Sequence, residues 1–300
     1  MIKIAFGPEY HHPLPENHRF PMEKYTLIHQ QLLYEGVFEV QNFFIPDRLD
    51  RAALLAVHDA AYIRKLDEGQ LQPKEERRIG FPWSKTLIER EELITSGTLQ
   101  GALYALGEGV AFNVAGGTHH AYRDRGEGFC MYNDIAVAAK HLLDTKKARK
   151  VLVVDLDVHQ GNGTAKIFEK ESRVFTFSMH GAKNYPLHKE HSDLDIALSG
   201  DIDDAGYLTL LKKNLDDLLE HVKPDFVFYQ SGVDILENDR LGKLSITKAG
   251  VRERDIVVLE RMYKRNIPVM ISMGGGYARQ IRNIVDAHCN TYRTARDLYE

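Results

Sequence analysis

Apolar residues gather along this chain in seven short runs: IKIAF at the start, FEVQNFF near 40, VAFNVAGG near 114, VLVVDLD near 154, RVFTFSM near 176, DFVFYQSGVD near 230 and IPVMISMGGG near 271. Most are continuous rather than alternating, which is the pattern of strands buried on both faces of a parallel sheet. Between them, apolar positions recur at helical spacing over 24–35, 50–68, 84–107, 134–148, 204–222, 247–265 and from 278 onward. Strands alternating with helices predict an α/β fold, with an open, mainly parallel sheet covered by helices on both faces. No repeat or low-complexity linker divides the chain, so one domain is expected over 1–300, and the charged stretch 68–78 reads as a solvated loop.

The run VLVVDLDVHQGNGT, 151–164, departs from the others by ending in Asp155, Asp157 and His159, two residues apart each time. If the extended conformation persists to His159, the three side chains share one face. Two carboxylates on a buried strand cost several kcal/mol unless a positive charge joins them. Polar residues also collect after other strands: Thr118, His119 and His120 after VAFNVAGG, Asp234 after DFVFYQSG, and Gly274, Gly275, Gly276 and Tyr277 after IPVMISM. In open parallel sheets, ligands bind outside the carboxyl ends of the strands, so these four ends are expected to converge on one site.

Asp157, His159 and Asp234 form a plausible ligand triad with one nitrogen and two oxygen donors, the open arrangement of catalytic zinc. The same set accepts manganese or iron(II). His119 and His120 suit proton transfer, and each needs a partner at its second ring nitrogen, for which Asp155 and Asn162 are candidates. Adjacent residues on extended backbone point to opposite sides, so the pair would diverge if that segment were a strand. Tyr277, behind three glycines, is placed to donate its hydroxyl to an oxyanion.

Composition narrows the alternatives. The 39 basic and 43 acidic residues leave a net charge of −4 with no footprint for non-specific nucleic-acid binding. Two cysteines, Cys130 and Cys289, are too few for a disulfide framework. The N-terminus lacks a signal-peptide layout and no run approaches 18 apolar residues, so a soluble cytoplasmic protein, off the membrane, is expected.

Taken in order, GGTHH (116–120), RGEGFCMYND (125–134), DLDVHQGNGT (155–164), SGVD (231–234) and GGGY (274–277) resemble the zinc-dependent histone deacetylase superfamily over residues 10 to 280. HRFPMEKY (18–25) and GFPWS (80–84) most resemble its class IV branch and bacterial relatives. The resemblance implies the arginase/deacetylase fold. It implies zinc on Asp157, His159 and Asp234, Tyr277 polarising the carbonyl, His120 as general base and then acid, and His119, held by Asp155, acting electrostatically. It also implies a structural potassium ion on Asp155, the main-chain oxygens of Asp157 and His159, and the Ser178 hydroxyl. Gly128, Phe129, Tyr185 and Gly275 fall at positions that line the acyl-lysine tunnel, whose aromatic walls suit an aliphatic stem.

Three positions depart from the common pattern. Asn162 replaces an aspartate, which should leave His120 less basic; Gln160 replaces a histidine and is expected to lie off the metal; Tyr185 replaces a phenylalanine. Cys130 is expected to pack rather than react, and His11, His12, His180, His188 and His191 are rim candidates without an assigned role. The function expected is hydrolysis of acetyl or longer acyl groups from the lysine ε-amine of proteins or peptides. The alternatives are a small acylated amine such as an acetylpolyamine, which calls for an acidic rim, and an inactive acyl-lysine- or metal-binding module.

Overall fold

The computed structural model describes all 300 residues. Its strands are β1 Lys3–Ala5, β2 Phe43–Phe44, β3 Val110–Asn113, β4 Val151–Asp155, β5 Val174–Gly181, β6 Leu194–Leu198, β7 Phe226–Gln230 and β8 Val269–Ser272. The helices are α1 Lys24–Tyr34, α2 Arg51–Leu55, α3 Ala60–Asp67, α4 Pro73–Ile79, α5 Lys85–Glu108, α6 Asp134–Asp144, α7 Asn162–Phe168, α8 Asp204–Val222, α9 Lys248–Arg265 and α10 Ile281–Tyr299. All eight strands form one sheet in the order β2-β1-β3-β8-β7-β4-β5-β6. Every pairing is parallel, so the sheet is wholly rather than mainly so.

The most apolar runs occupy the middle. Every residue of β3, β4, β7 and β8 is buried, because helices cover both faces there. These four strands are neighbours, and their carboxyl ends, Asn113, Ser272, Gln230 and Asp155, open onto one crevice. A single cluster of 82 buried apolar residues runs through the molecule, consistent with one core and one domain. No helix is long and apolar enough to cross a membrane.

The elements that sequence periodicity did not predict are short or polar. α4 overlaps the stretch expected to be a solvated loop and ends one residue beyond it at Ile79, the only residue it buries, so it carries no apolar stripe. Its signals are terminal: a capping box between Gln72 and Glu75, Pro73 in the first turn, and Gly80 at φ 89° closing the end. α7 begins inside the glycine-containing turn after His159. β6 is a half-exposed edge strand paired only with β5. The FEVQNFF run contributes just the two residues of β2, preceded by a 3-10 turn at Val40–Asn42. The helix expected over 50–68 breaks at Asp59, whose backbone is extended.

Candidate active site

β4 ends at Asp155, and the chain then turns instead of continuing extended to His159. The acids themselves make the turn: Asp155 Oδ1 accepts from the Asp157 N–H at 3.2 Å, and Asp157 Oδ1 from the His159 N–H at 3.0 Å. The three polar groups therefore do not share a strand face. Asp157 and His159 meet Asp234 beyond β7, while Asp155 leaves them and bonds His119 Nδ1 at 2.7 Å.

One donor atom from each of Asp157, His159 and Asp234 lies within 4.8 Å of the others, and all three residues are buried. His159 Nδ1 sits 3.0 Å from both Asp157 Oδ1 and Asp234 Oδ2. Burial alone would lower the pKa of His159, but hydrogen bonding to Asp157 and Asp234 prevails and raises it to about 10. Burial, joined by the charge of Asp157, pushes Asp234 up to about 7. Both shifts express one requirement: two dry carboxylates need a positive charge between them. Two oxygens and one nitrogen converging beside a cavity fit a divalent cation of the zinc, iron(II) or manganese kind. Gly275 closes over the group: its N–H donates to Asp157 Oδ2 at 2.7 Å, and a Cβ there would stand 2.0 Å from Asp234 Oδ2.

His119 and His120 lie in a turn, so both rings face the same cavity, with centroids 4.1 Å apart. Their environments differ. Burial opposes a charge on His119, but the Asp155 carboxylate outweighs it and raises the pKa. Burial, with His119 and His159 nearby, holds His120 well below its ordinary value, and its Nδ1 meets only the neutral Asn162 Oδ1 at 2.6 Å. Asn162 is itself oriented by donating to Glu127 Oε1 at 2.7 Å and to the Tyr122 hydroxyl at 3.0 Å.

The cavity over these groups holds about 40 Å³ and is walled by Phe20, Phe129 and Tyr277. The Phe129 ring lies 5.1 Å from Phe20, 5.2 Å from Phe81 and 6.0 Å from Tyr277. Gly128 and Phe129 both adopt left-handed backbone, φ 57° and 66°, and a Cβ on Gly128 would stand 2.5 Å from the His120 ring. Tyr185, 38% exposed, stands edge-on to His120 at 4.9 Å. Burial and the charges of Asp234 and Asp157 raise the Tyr277 phenol well above its usual value, so it stays an O–H donor. Outside these residues lies a chamber of about 500 Å³.

Several structural partners carried no assigned role in the sequence. Asp134 accepts from the Gly117 N–H at 3.0 Å, the Thr118 N–H at 2.8 Å and the Thr98 hydroxyl at 2.6 Å, which anchors the turn carrying the histidine pair. Asp239 accepts from the Tyr277 N–H at 2.6 Å and from the Leu241 and Gly242 N–H groups at 2.8 Å. Buried Lys24 donates to the Gly274 carbonyl at 3.3 Å, and burial, opposed by Asp234 and Asp157, lowers its pKa to about 8. Only position in a quoted motif hinted at Asp134 and Lys24; Asp239 lies in an unremarkable loop. Gln160 turns away from the triad, donating to the Glu190 carbonyl at 2.7 Å and to Asp195 at 2.9 Å. Ser178 stands opposite Asp155 in the β4–β5 register, its hydroxyl 3.0 Å from His180 Nδ1. His11 and His12 line a neighbouring cavity of about 530 Å³, and Cys130 is buried with its thiol pKa raised well above normal by that burial. Phe20 and Phe81, also without a role in the sequence reading, complete the aromatic wall.

Known proteins resemble this chain in sequence and in fold. A family model for the histone deacetylase domain matches residues 18–292. An uncharacterized protein of Picosynechococcus sp. is 46% identical over 296 residues, covering 99% of each chain. Histone deacetylase 1 of Homo sapiens is 30% identical over 302 residues, which is 93% of this chain and 61% of that one. The crystal structure of an HDAC homolog complexed with SAHA superposes with a TM-score of 0.83 at 24% identity, over 99% of this chain and 84% of that one, and so shares the fold. With the fold, the strand-end cluster and the domain match in agreement, the chain belongs to the histone deacetylase family and is an amidohydrolase of the deacetylase type.

Proposed function

We propose that the protein is a zinc-dependent lysine deacylase, removing acetyl and, less readily, longer acyl groups from the ε-amine of lysine in a protein or peptide. The observation that carries this reading is the buried Asp157–His159–Asp234 group facing the same cavity as the histidine pair and Tyr277. Those three residues would hold the zinc, which when bound supplies Lewis acidity toward an amide carbonyl and toward water. His120, neutral and with Nδ1 occupied by Asn162, accepts the proton of the attacking water at Nε2 and passes it to the leaving amine. His119, its charge favoured by Asp155, steadies the negative charge that develops beside it. Tyr277 donates its hydroxyl hydrogen to the oxyanion as water's oxygen bonds the carbonyl carbon and the C–N bond then breaks.

Gly128, Phe129 and Tyr185 are proposed to flank the lysine stem, and Gly275 to let backbone approach the reacting carbonyl. A structural potassium ion on Asp155, Asp157, His159 and Ser178 belongs to the same reading, supported by the burial of all four residues and the pairing of Asp155 with Ser178. So does the class IV assignment, since Phe20, Lys24 and Phe81 of its two motifs pack around Tyr277 and Phe129. The inner cavity holds about 40 Å³, against about 500 Å³ in the chamber outside it. It suits an acetyl group better than a fatty chain.

The test is an acyl-lysine peptide series, acetyl to myristoyl, with zinc-loaded protein. Turnover should be highest for acetyl and stop on adding a hydroxamate chelator, and Asp157→Ala should lose zinc and rate together. A zinc-replete, fully active Asp157→Ala protein would overturn the assignment. Tight peptide binding without turnover would make the protein an idle acyl-lysine module instead.

A further inference from the structure

The opening of the site has a charge bias that the chemistry above does not use. The outer chamber, which reaches His120, His159 and Tyr277, is lined by 14 residues that include Arg19, Arg77, Arg78, Lys183 and Lys243 and no carboxylate. The adjoining cavity shares Arg19 and Tyr277, adds Arg240 and Arg279, and has Glu16 and Glu23 as its acids; behind the chamber wall Glu127 hydrogen-bonds Tyr185 and Asp239 holds the Tyr277 N–H. The chain as a whole carries a net charge of −4, so this is a local inversion. Elsewhere most arginines are matched to acids, as in Arg173 with Glu171, Arg261 with Asp216 and Arg293 with Glu35. The five chamber cations have no carboxylate within the 4.0 Å of an ion pair.

Their anchorage shows that they surround the opening. Arg77 and Arg78 form the last turn of α4, and the carbonyls of Arg78 and Ile79 accept from the N–H groups of Gly128 and Phe129 at 3.0 and 2.7 Å. The end of α4 is therefore fixed beside the tunnel wall. Arg19 lies over the outer face of the Phe129 ring at 4.9 Å. Opposite, Lys243 donates to the Lys183 carbonyl at 3.3 Å, next to Tyr185. The helix dipole of α4 favours cations at its last turn, but it does not account for Arg19, Lys183 or Lys243. Such a ring repels a polyamine or a basic protein tail and concentrates anions at the opening.

Resting on the lysine-deacylase reading, we propose that the substrate is an acyl-lysine in an acidic peptide context, its flanking carboxylates held by Arg19, Arg77, Arg78, Lys183 and Lys243. The experiment compares kcat/KM for acetyl-lysine peptides flanked by glutamates, glutamines or arginines, with acetylpolyamine and free Nε-acetyl-lysine alongside. The glutamate peptide should exceed the glutamine peptide by about tenfold or more at low salt. The arginine peptide should fall below both, and the differences should shrink toward 1 M salt, where charges are screened beyond about 3 Å. In Arg77→Gln/Arg78→Gln and in Lys183→Gln the glutamate-to-glutamine ratio should drop toward one, while Lys212→Gln, on α8 away from both cavities, should keep it.

Equal rates for the three peptides, a preference for arginine or polyamine, or a ratio unmoved by the rim variants would overturn the proposal. So would free Nε-acetyl-lysine outrunning the glutamate peptide, which would move the recognised carboxylate to a small molecule. If no compound in the set is hydrolysed, the deacylase reading fails. Anisotropy binding of the same labelled peptides then still decides the rim, with tighter binding of the glutamate peptide required.

Discussion

Two adjacent histidines show how little of a side chain's chemistry is set by its type. His119 faces a carboxylate and His120 an amide, both through Nδ1 and both in the same dry cavity, and their pKa values move in opposite directions. Tyr277 offers the cleanest test at this scale. Its ring packs among Phe20, Phe129 and His159, and its backbone is held by Asp239, so Tyr277→Phe removes a hydroxyl and leaves the packing in place. Loss of one oxyanion donor should lower kcat by about 10²–10³. Bound zinc, measured on the same protein, should remain at the wild-type level; a parallel loss of zinc would mean the hydroxyl acts on the ligands rather than on the reacting carbonyl.

Among the elements, the break between α2 and α3 has a cause in the site. His58, in that break, has Nδ1 2.8 Å from the Tyr122 carbonyl and accepts the Asn133 N–H at Nε2 over 3.0 Å, thereby tying both ends of the loop that carries Gly128 and Phe129. Burial holds its pKa at about 4, so the folded protein keeps it neutral while the unfolded chain protonates near 6.5. The unfolded state binds more protons between those values, so the contribution of His58 is complete above pH 6.5 and is lost as pH falls toward 4. Between pH 7 and pH 5 this costs on the order of 2 kcal/mol. Urea unfolding at both values should show the drop, and His58→Asn should be less stable at pH 7 but lose less on acidification. A continuous helix over 50–68 is the sequence expectation because the apolar spacing continues across 57–59; the distant carbonyls of Tyr122 and Arg123 and the Asn133 N–H draw the chain out.

For the molecule as a whole, convergence of the strand ends depends on a buried pair in α9. Arg254, fully buried, donates to the carbonyls of Ser231 at 3.0 Å, Leu156 at 3.4 Å and Gly232, binding the turns that precede Asp157 and Asp234. Asp255 neutralises it and accepts from the hydroxyls of Tyr229 at 2.5 Å and Thr291 at 2.7 Å, so β7, α9 and α10 share one network. Arg254→Ala should destabilise the protein by about 3–5 kcal/mol, because it strands a buried carboxylate. Denaturant unfolding measures this, and adding Asp255→Leu should recover part of the loss; full stability in the single variant would show that the turns hold without the pair.

What the sequence determined by itself is whatever short-range rules can write. The Val/Leu runs specify buried parallel strands, the 3.6-residue spacing specifies the long helices α5, α8 and α9 within a residue or two, and the order of the motifs specifies a deacetylase-like set of strand ends. Asp155 and Asn162 were also legible as partners of the histidines, because each imidazole needs one and few polar groups lie near. Tertiary structure alone decided that the chain turns after Asp155 instead of running extended to His159, since that depends on where the strand stops. It alone decided that the two histidines face one way and that Asp134, Asp239, Lys24 and Arg254 act as supports, whereas α4 is marked only by its local caps and not by any apolar period. The supports rest on bonds between residues far apart in the chain, and no periodicity records such a contact. The cations around the opening belong to the same class, coming from separate segments that meet only when the sheet has formed.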